Sequence, residues 1–122
     1  MGLDVLYKII QKNPLEANRV IVVLDGRPIT ISEAIQILQS GGPLAQRLSE
    51  ELARIGMDPP TIPEEWWNIA YYRYLQKPEN YTVFYRGRMW TKQEILREIA
   101  NRTEIGADFV RMEMEYMQYL MR

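Results

Sequence analysis

A chain of 122 residues, 47% hydrophobic and 25% charged with a formal net charge of −1, is long enough to bury a shared core and too apolar to stay disordered. It has no Cys and no His, which excludes disulfides, thiolate chemistry, cysteine metal sites and the usual imidazole base. No apolar run approaches the roughly eighteen residues of a membrane span, and Met1-Gly2-Leu3-Asp4 does not open a signal peptide. The expectation is a soluble cytoplasmic protein with no membrane partner, no metal and no cofactor. Eleven Arg to four Lys and twelve Glu to four Asp suit a thermophile or GC-rich coding equally.

Taken in order, Leu3, Leu6, Tyr7 and Ile10 recur at helical spacing, so the N-terminus reads as a short amphipathic helix stopped at Asn13-Pro14. Val20 to Leu24 is a β-branched apolar run, Asp25-Gly26 is a two-residue hairpin turn, and Arg27 to Thr30 returns as a strand in which Pro28 lacks a ladder donor. Thr30 and Glu33 have capping-box spacing and open a helix that runs to Ser40. Gly41-Gly42-Pro43 ends it and starts another, with Leu44, Leu48, Leu52 and Ile55 on one face and Gly56-Met57 closing it. Asp58-Pro59-Pro60 reads as a linker. Thr61 and Glu64 suggest a second capping box, before a helix carrying Trp67, Ala70, Tyr71 and Tyr74 that ends near Lys77-Pro78. A second hairpin, Tyr81 to Trp90 around Arg86-Gly87, precedes a third box at Thr91 and Glu94.

The two hairpin segments are versions of one pattern. At an offset of 61 residues, Val22 meets Val83, Gly26-Arg27 meets Gly87-Arg88, Thr30 meets Thr91 and Glu33 meets Glu94. These identities fall at turn, cap and core. The expected fold is therefore α+β, one domain over 1–122 with internal repeats 1–58 and 61–122, each an α, β-hairpin, α, α unit. The two hairpins are expected to join as a small antiparallel sheet covered by helices, because a two-stranded ribbon is weak alone.

Three segments suggest contact with other molecules. Around the second hairpin, Arg73, Lys77, Arg86, Arg88, Lys92 and Arg97 face only Glu79 and Glu94, and Tyr81, Phe84, Tyr85 and Trp90 lie among them. Cations interleaved with aromatics suit phosphates and stacked bases, so Arg86, Arg88, Lys92, Arg97, Tyr85 and Trp90 form a candidate nucleic-acid surface. A packed strand face explains Tyr81, Val83 and Tyr85 as well.

Second, Ile99-Ala100, Ile105 and Val110-Arg111 within 94–111 resemble the spacing of helix-turn-helix segments in bacterial and archaeal regulators. Glu104 occupies the turn position where such motifs often carry Gly, and Asp108, Glu113 and Glu115 would repel phosphate.

Third, the last helix is apolar on two stripes. Ile105, Phe109, Met112, Tyr116 and Leu120 make one, and Val110, Met114, Met117 and Met121 make another, rotated by about 100°. A second stripe asks for a second partner, so these four residues are the expected surface for a homodimer or a protein partner. No residue is nominated for catalysis: Glu50-Glu51 and Glu64-Glu65 are neighbours on helices and cannot converge. The leading expectation is a non-enzymatic binding or regulatory protein that acts through protein contact and self-association, and its rival is a nucleic-acid-binding regulator.

Overall fold

The computed structural model describes residues 2–53 and 62–122. The expected helix end at Ile55 to Met57, the linker 58–60 and the cap at Thr61 lie outside them. Among the described residues the order is α1 (Gly2–Lys12), a 3-10 turn (Pro14–Asn18), β1 (Val20–Leu24), β2 (Arg27–Thr30), α2 (Ile31–Ser40), α3 (Pro43–Leu52), α4 (Glu64–Leu75), β3 (Thr82–Tyr85), β4 (Arg88–Thr91), α5 (Lys92–Ala100) and α6 (Glu104–Met121). The protein is α+β, with helices around two small antiparallel ribbons.

Local chemistry sets most boundaries. Both hairpins turn through two residues at positive φ, Asp25 at 52° with Gly26 at 77° and Arg86 at 50° with Gly87 at 79°, the type I′ geometry whose twist matches the flanking strands. Each return strand runs straight into a capped helix. The Thr30 hydroxyl accepts from Glu33 N, and the Glu33 carboxylate accepts from Thr30 N; Thr91 and Glu94 repeat the arrangement at α5. At the end of α1, Asn13 Oδ1 accepts from Leu15 N at 3.2 Å and its Nδ2 donates to the Tyr116 hydroxyl at 2.9 Å. Glu64, expected to reach back within a cap, is instead the first residue of α4 and is paired with Arg102.

One buried cluster draws on both halves, with Leu6, Ile9, Ile21 and Leu48 from the first and Trp66, Ile69, Phe109 and Met117 from the second. Two helical faces differ from expectation. In α1 the inward row is Gly2, Leu6 and Ile9, while Tyr7 is 43% exposed. α4 packs on β1, α5 and α6, and it buries Trp66, Ile69, Ala70, Arg73 and Tyr74 together. A helix with neighbours on several sides has no single apolar stripe to read.

The hairpins do not join. β1 pairs with β2 and β3 with β4, in two separate sheets. The reason lies at the outer edge of β1, where α4 takes the place another strand would need. Val20 N donates to Gln76 Oε1 at 2.9 Å, and Arg73 Nη1 donates to Val20 O at 2.9 Å. With those main-chain groups bonded to side chains, no strand can continue the ladder there.

Candidate functional site

The stripe expected to meet a second chain faces inward. Val110 and Met117 have no exposed surface, Met114 is 7% exposed and Met121 is half-buried. α6 has neighbours from both halves, α1 on one side and α4 and α5 on others, so both of its apolar stripes are taken up within the chain. What α6 shows to solvent is Glu104, Arg111, Glu115 and Tyr119. Two carboxylates to one guanidinium make a poor phosphate-reading face for the helix-turn-helix expectation.

The same packing gathers the polar groups of the interior. Arg73, 1% exposed, projects from α4 between the 3-10 turn, β1 and α6. Its Nε donates to Glu113 Oε1 at 2.8 Å and its Nη2 donates to Glu16 Oε1 at 3.1 Å. Glu16 Oε2 lies 3.0 Å from Arg73 Nη1, an attractive contact without a directed hydrogen bond, while Nη1 donates to Val20 O. Burial works to lower the Arg73 pKa, but Glu113 and Glu16 outweigh it and the net shift is upward. Half-buried Arg19 adds a second cation, donating to Arg73 O at 2.9 Å; burial and the nearby Arg73 charge lower its pKa. This network is turned in on itself and ties the two halves together.

Around the second hairpin the basic residues separate into two groups. Lys92 is buried, its Nζ donating to Lys77 O at 2.9 Å and Glu79 Oε1 at 3.1 Å, so it leaves the candidate surface. Arg86, Arg88 and Arg97 are exposed. Arg86 pairs with Asp108 of α6 at 2.9 Å, and Arg88 pairs with Glu94 at 3.1 Å while its guanidinium lies 3.5 Å from the centroid of Trp90. The two expected stacking platforms are occupied as well. Tyr85 and Trp90 are half-buried against Phe109, with ring centroids 5.6 and 5.7 Å away, and the Tyr85 hydroxyl donates to Asp108 at 2.7 Å. The structure therefore brings Arg86 and Arg88 to one hairpin but holds Tyr85, Trp90 and Lys92 inward.

The opposite face of that hairpin was not selected from sequence. Phe84 stands directly across the ladder from Met89, and they are 68% and 52% exposed. Thr82 and Thr91, also exposed, flank them on the same face. The corresponding residues of the first hairpin, Val23 and Pro28, are half-buried. Period two was the available signal: if Tyr81, Val83 and Tyr85 pack inward, Phe84 must point out.

A groove of about 310 Å3 lies between α4 and the α5–α6 turn, walled by Trp67, Tyr71 and Tyr72. Arg102, at φ 53° in that turn, stacks 5.2 Å from the Trp67 centroid and is paired with Glu64. Among the described residues no helix is long and apolar enough to cross a membrane, and no group of three carboxylates is placed to hold a metal. Comparison with protein-family models, with curated proteins and with solved structures finds no match to this chain.

Proposed function

We propose that this is a non-enzymatic binding protein that meets another polypeptide through the outer face of its second hairpin, not through α6. The observation that carries the reading is the Phe84–Met89 pair: two large apolar side chains opposed on a ladder and exposed together, where their counterparts Val23 and Pro28 are half-covered. Contiguous exposed apolar area on a small protein is a mark of contact surfaces. The exposed guanidinium groups of Arg86 and Arg88 edge it, as polar rims edge interface centres. A non-catalytic role is supported by the state of the ionisable clusters. Arg73, Glu16 and Glu113 are locked in mutual bonds away from solvent, and Asp108 is occupied by Tyr85 and Arg86.

We also infer that the two hairpin–helix segments descend from one duplicated unit. Matching I′ turns and capping boxes at an offset of 61 residues support it. On that reading the second copy kept an open hairpin for binding, while the first had its hairpin edge sealed by α4.

The test places benzoylphenylalanine, close in shape to Phe, at position 84 and, as the control, at position 23. Irradiation in the living source cell should give covalent adducts to a polypeptide from position 84 and few from 23, and Met89→Lys should abolish them. Equal yields from the two positions, or none from 84, would remove the reading.

A further inference from the structure

We propose that the polypeptide meeting this hairpin is a second copy of the chain, added edge to edge. Two β3 strands lie antiparallel across a twofold axis at Val83 and make a four-stranded sheet in the order β4-β3-β3-β4. The inference rests on the hairpin contact proposed above; the second copy takes the edge of β3 and sets the two Phe84–Met89 faces side by side.

The edge of β3 is the starting point. Lys92 N donates to Tyr81 O, so positions 81, 83 and 85 face β4 in the alternation of an antiparallel ladder, and the main chain of Thr82 and Phe84 points away from it. On β1 the outward groups of Val20 are bonded by Gln76 and Arg73. Among the described residues no side chain does the same for Thr82 or Phe84, and no helix or strand runs along that edge. Exposed edges are ordinarily guarded by Lys, Pro or a bulge. Thr82-Val83-Phe84-Tyr85 has none of these, and its residue types all favour strands. A ribbon of two strands gains most from further pairing.

An edge of this length is self-complementary in one register. With Val83 on the axis, Thr82 lies opposite Phe84 of the other copy and the reverse, which satisfies both outward N–H and both outward C=O groups of each strand. The two Phe84 rings then lie on the same face at a diagonal within aromatic reach, each Phe84–Met89 pair continuing across the seam into Thr82 and Thr91 of the other copy. Charge also fits. Beyond the ladder, at each end of the seam, the turn that carries Arg86, 52% exposed, adjoins the turn that carries Glu79 of the other copy, 84% exposed. A guanidinium has five N–H donors and a carboxylate about four acceptor positions, so their present bonds to Asp108 and Lys92 leave capacity for another. Any other register leaves some of these outward main-chain groups unpaired.

Four residues of edge per copy bury less than a standard interface, so association should be weak and dependent on concentration. Sedimentation velocity of the full chain from about 10 to about 500 µM should show the mass rising towards that of a dimer. Thr82→Pro removes one outward N–H and no bond to β4, and it should weaken the dimer at least tenfold with unchanged far-ultraviolet circular dichroism. If that variant does not fold, charge exchange tests the register: Arg86→Glu and Glu79→Arg should each weaken dimerisation, and the double variant should restore it. A wild-type monomer at the highest concentration, a dimer that Thr82→Pro leaves intact, or no restoration by the double variant overturns the proposal. A monomer that still forms adducts to another polypeptide through position 84 loses the second copy but keeps the contact surface. Failure of both removes the contact surface too.

Discussion

Arg73 Nε donates to Glu113 Oε1 at 2.8 Å across the packing of α4 on α6, with the two side chains 1% and 8% exposed. A guanidinium in that position is tolerable only because Glu113, Glu16 and Val20 O take its protons from three directions. Deleting the cation leaves two buried carboxylates without the guanidinium that pairs with both. Arg73→Met should therefore destabilise the protein by about 3–5 kcal/mol, measured by urea unfolding. Replacing Arg73, Glu16 and Glu113 together with Met, Leu and Leu should cost much less than Arg73→Met alone, since no charge is then stranded.

The capping threonines make a smaller and more local prediction. Thr30→Ala and Thr91→Ala should each cost about 1 kcal/mol, because each removes the acceptor of an N3 amide at a helix start. The double variant should cost nearly the sum, since the two caps sit on different helices and share no partner.

Acid should destabilise the fold through the carboxylates that complete these caps and the surface pairs. Glu33 and Glu94 accept hydrogen bonds from the backbone of Thr30 and Thr91, which holds their pKa below the ordinary Glu range. Arg102 and Arg47 lower Glu64 and Asp25. A group whose folded pKa is depressed adds stability above its unfolded value, about 4.3 for Glu, and loses it as pH falls through the folded value. Urea midpoints should thus hold between pH 7 and 5 and decline below about pH 4.3. In the Glu33→Gln, Glu94→Gln variant the decline should be shallower.

Where α5 crosses the start of α6, the backbones leave no room for a side chain. A Cβ at Gly106 would lie 2.2 Å from the carbonyl oxygen of Glu98, and backbone cannot yield as a side-chain tip can. Gly106→Ala should cost at least about 3 kcal/mol, the upper end for overpacking. Thermal melts will measure the loss, and weakened near-ultraviolet dichroism from Trp90 beside Phe109 will show that α6 has moved.

For the methionines of α6 the expected outcome is the reverse of a surface. Met117 has no exposed area and Met114 7%, so Met117→Ala should cost about 2–5 kcal/mol. Met114→Glu with Met117→Glu should give an unfolded chain. A folded monomer from that pair would mean that α6 is not packed as described.

Short-range chemistry was legible in the residues themselves. Asp25-Gly26 and Arg86-Gly87 specify I′ turns, and Thr30 with Glu33 and Thr91 with Glu94 specify helix starts, because each depends on groups a few positions apart. Mixed helix and strand followed from those signals. Three matters depended on which element lies beside which. Arg73 counts as a surface cation until Glu16 and Glu113 are brought to it from 57 and 40 residues away. The second stripe of α6 asks for a partner until α1 and α4 supply one within the chain. The hairpins stay apart because Arg73 and Gln76 bond the edge of β1, and the face bearing Phe84 and Met89 is left open because the inner side of its own ribbon is already spent on Phe109. Periodicity records that a side is apolar. Only tertiary contact decides whether the cover comes from the same chain, since hydrophobic burial carries no address.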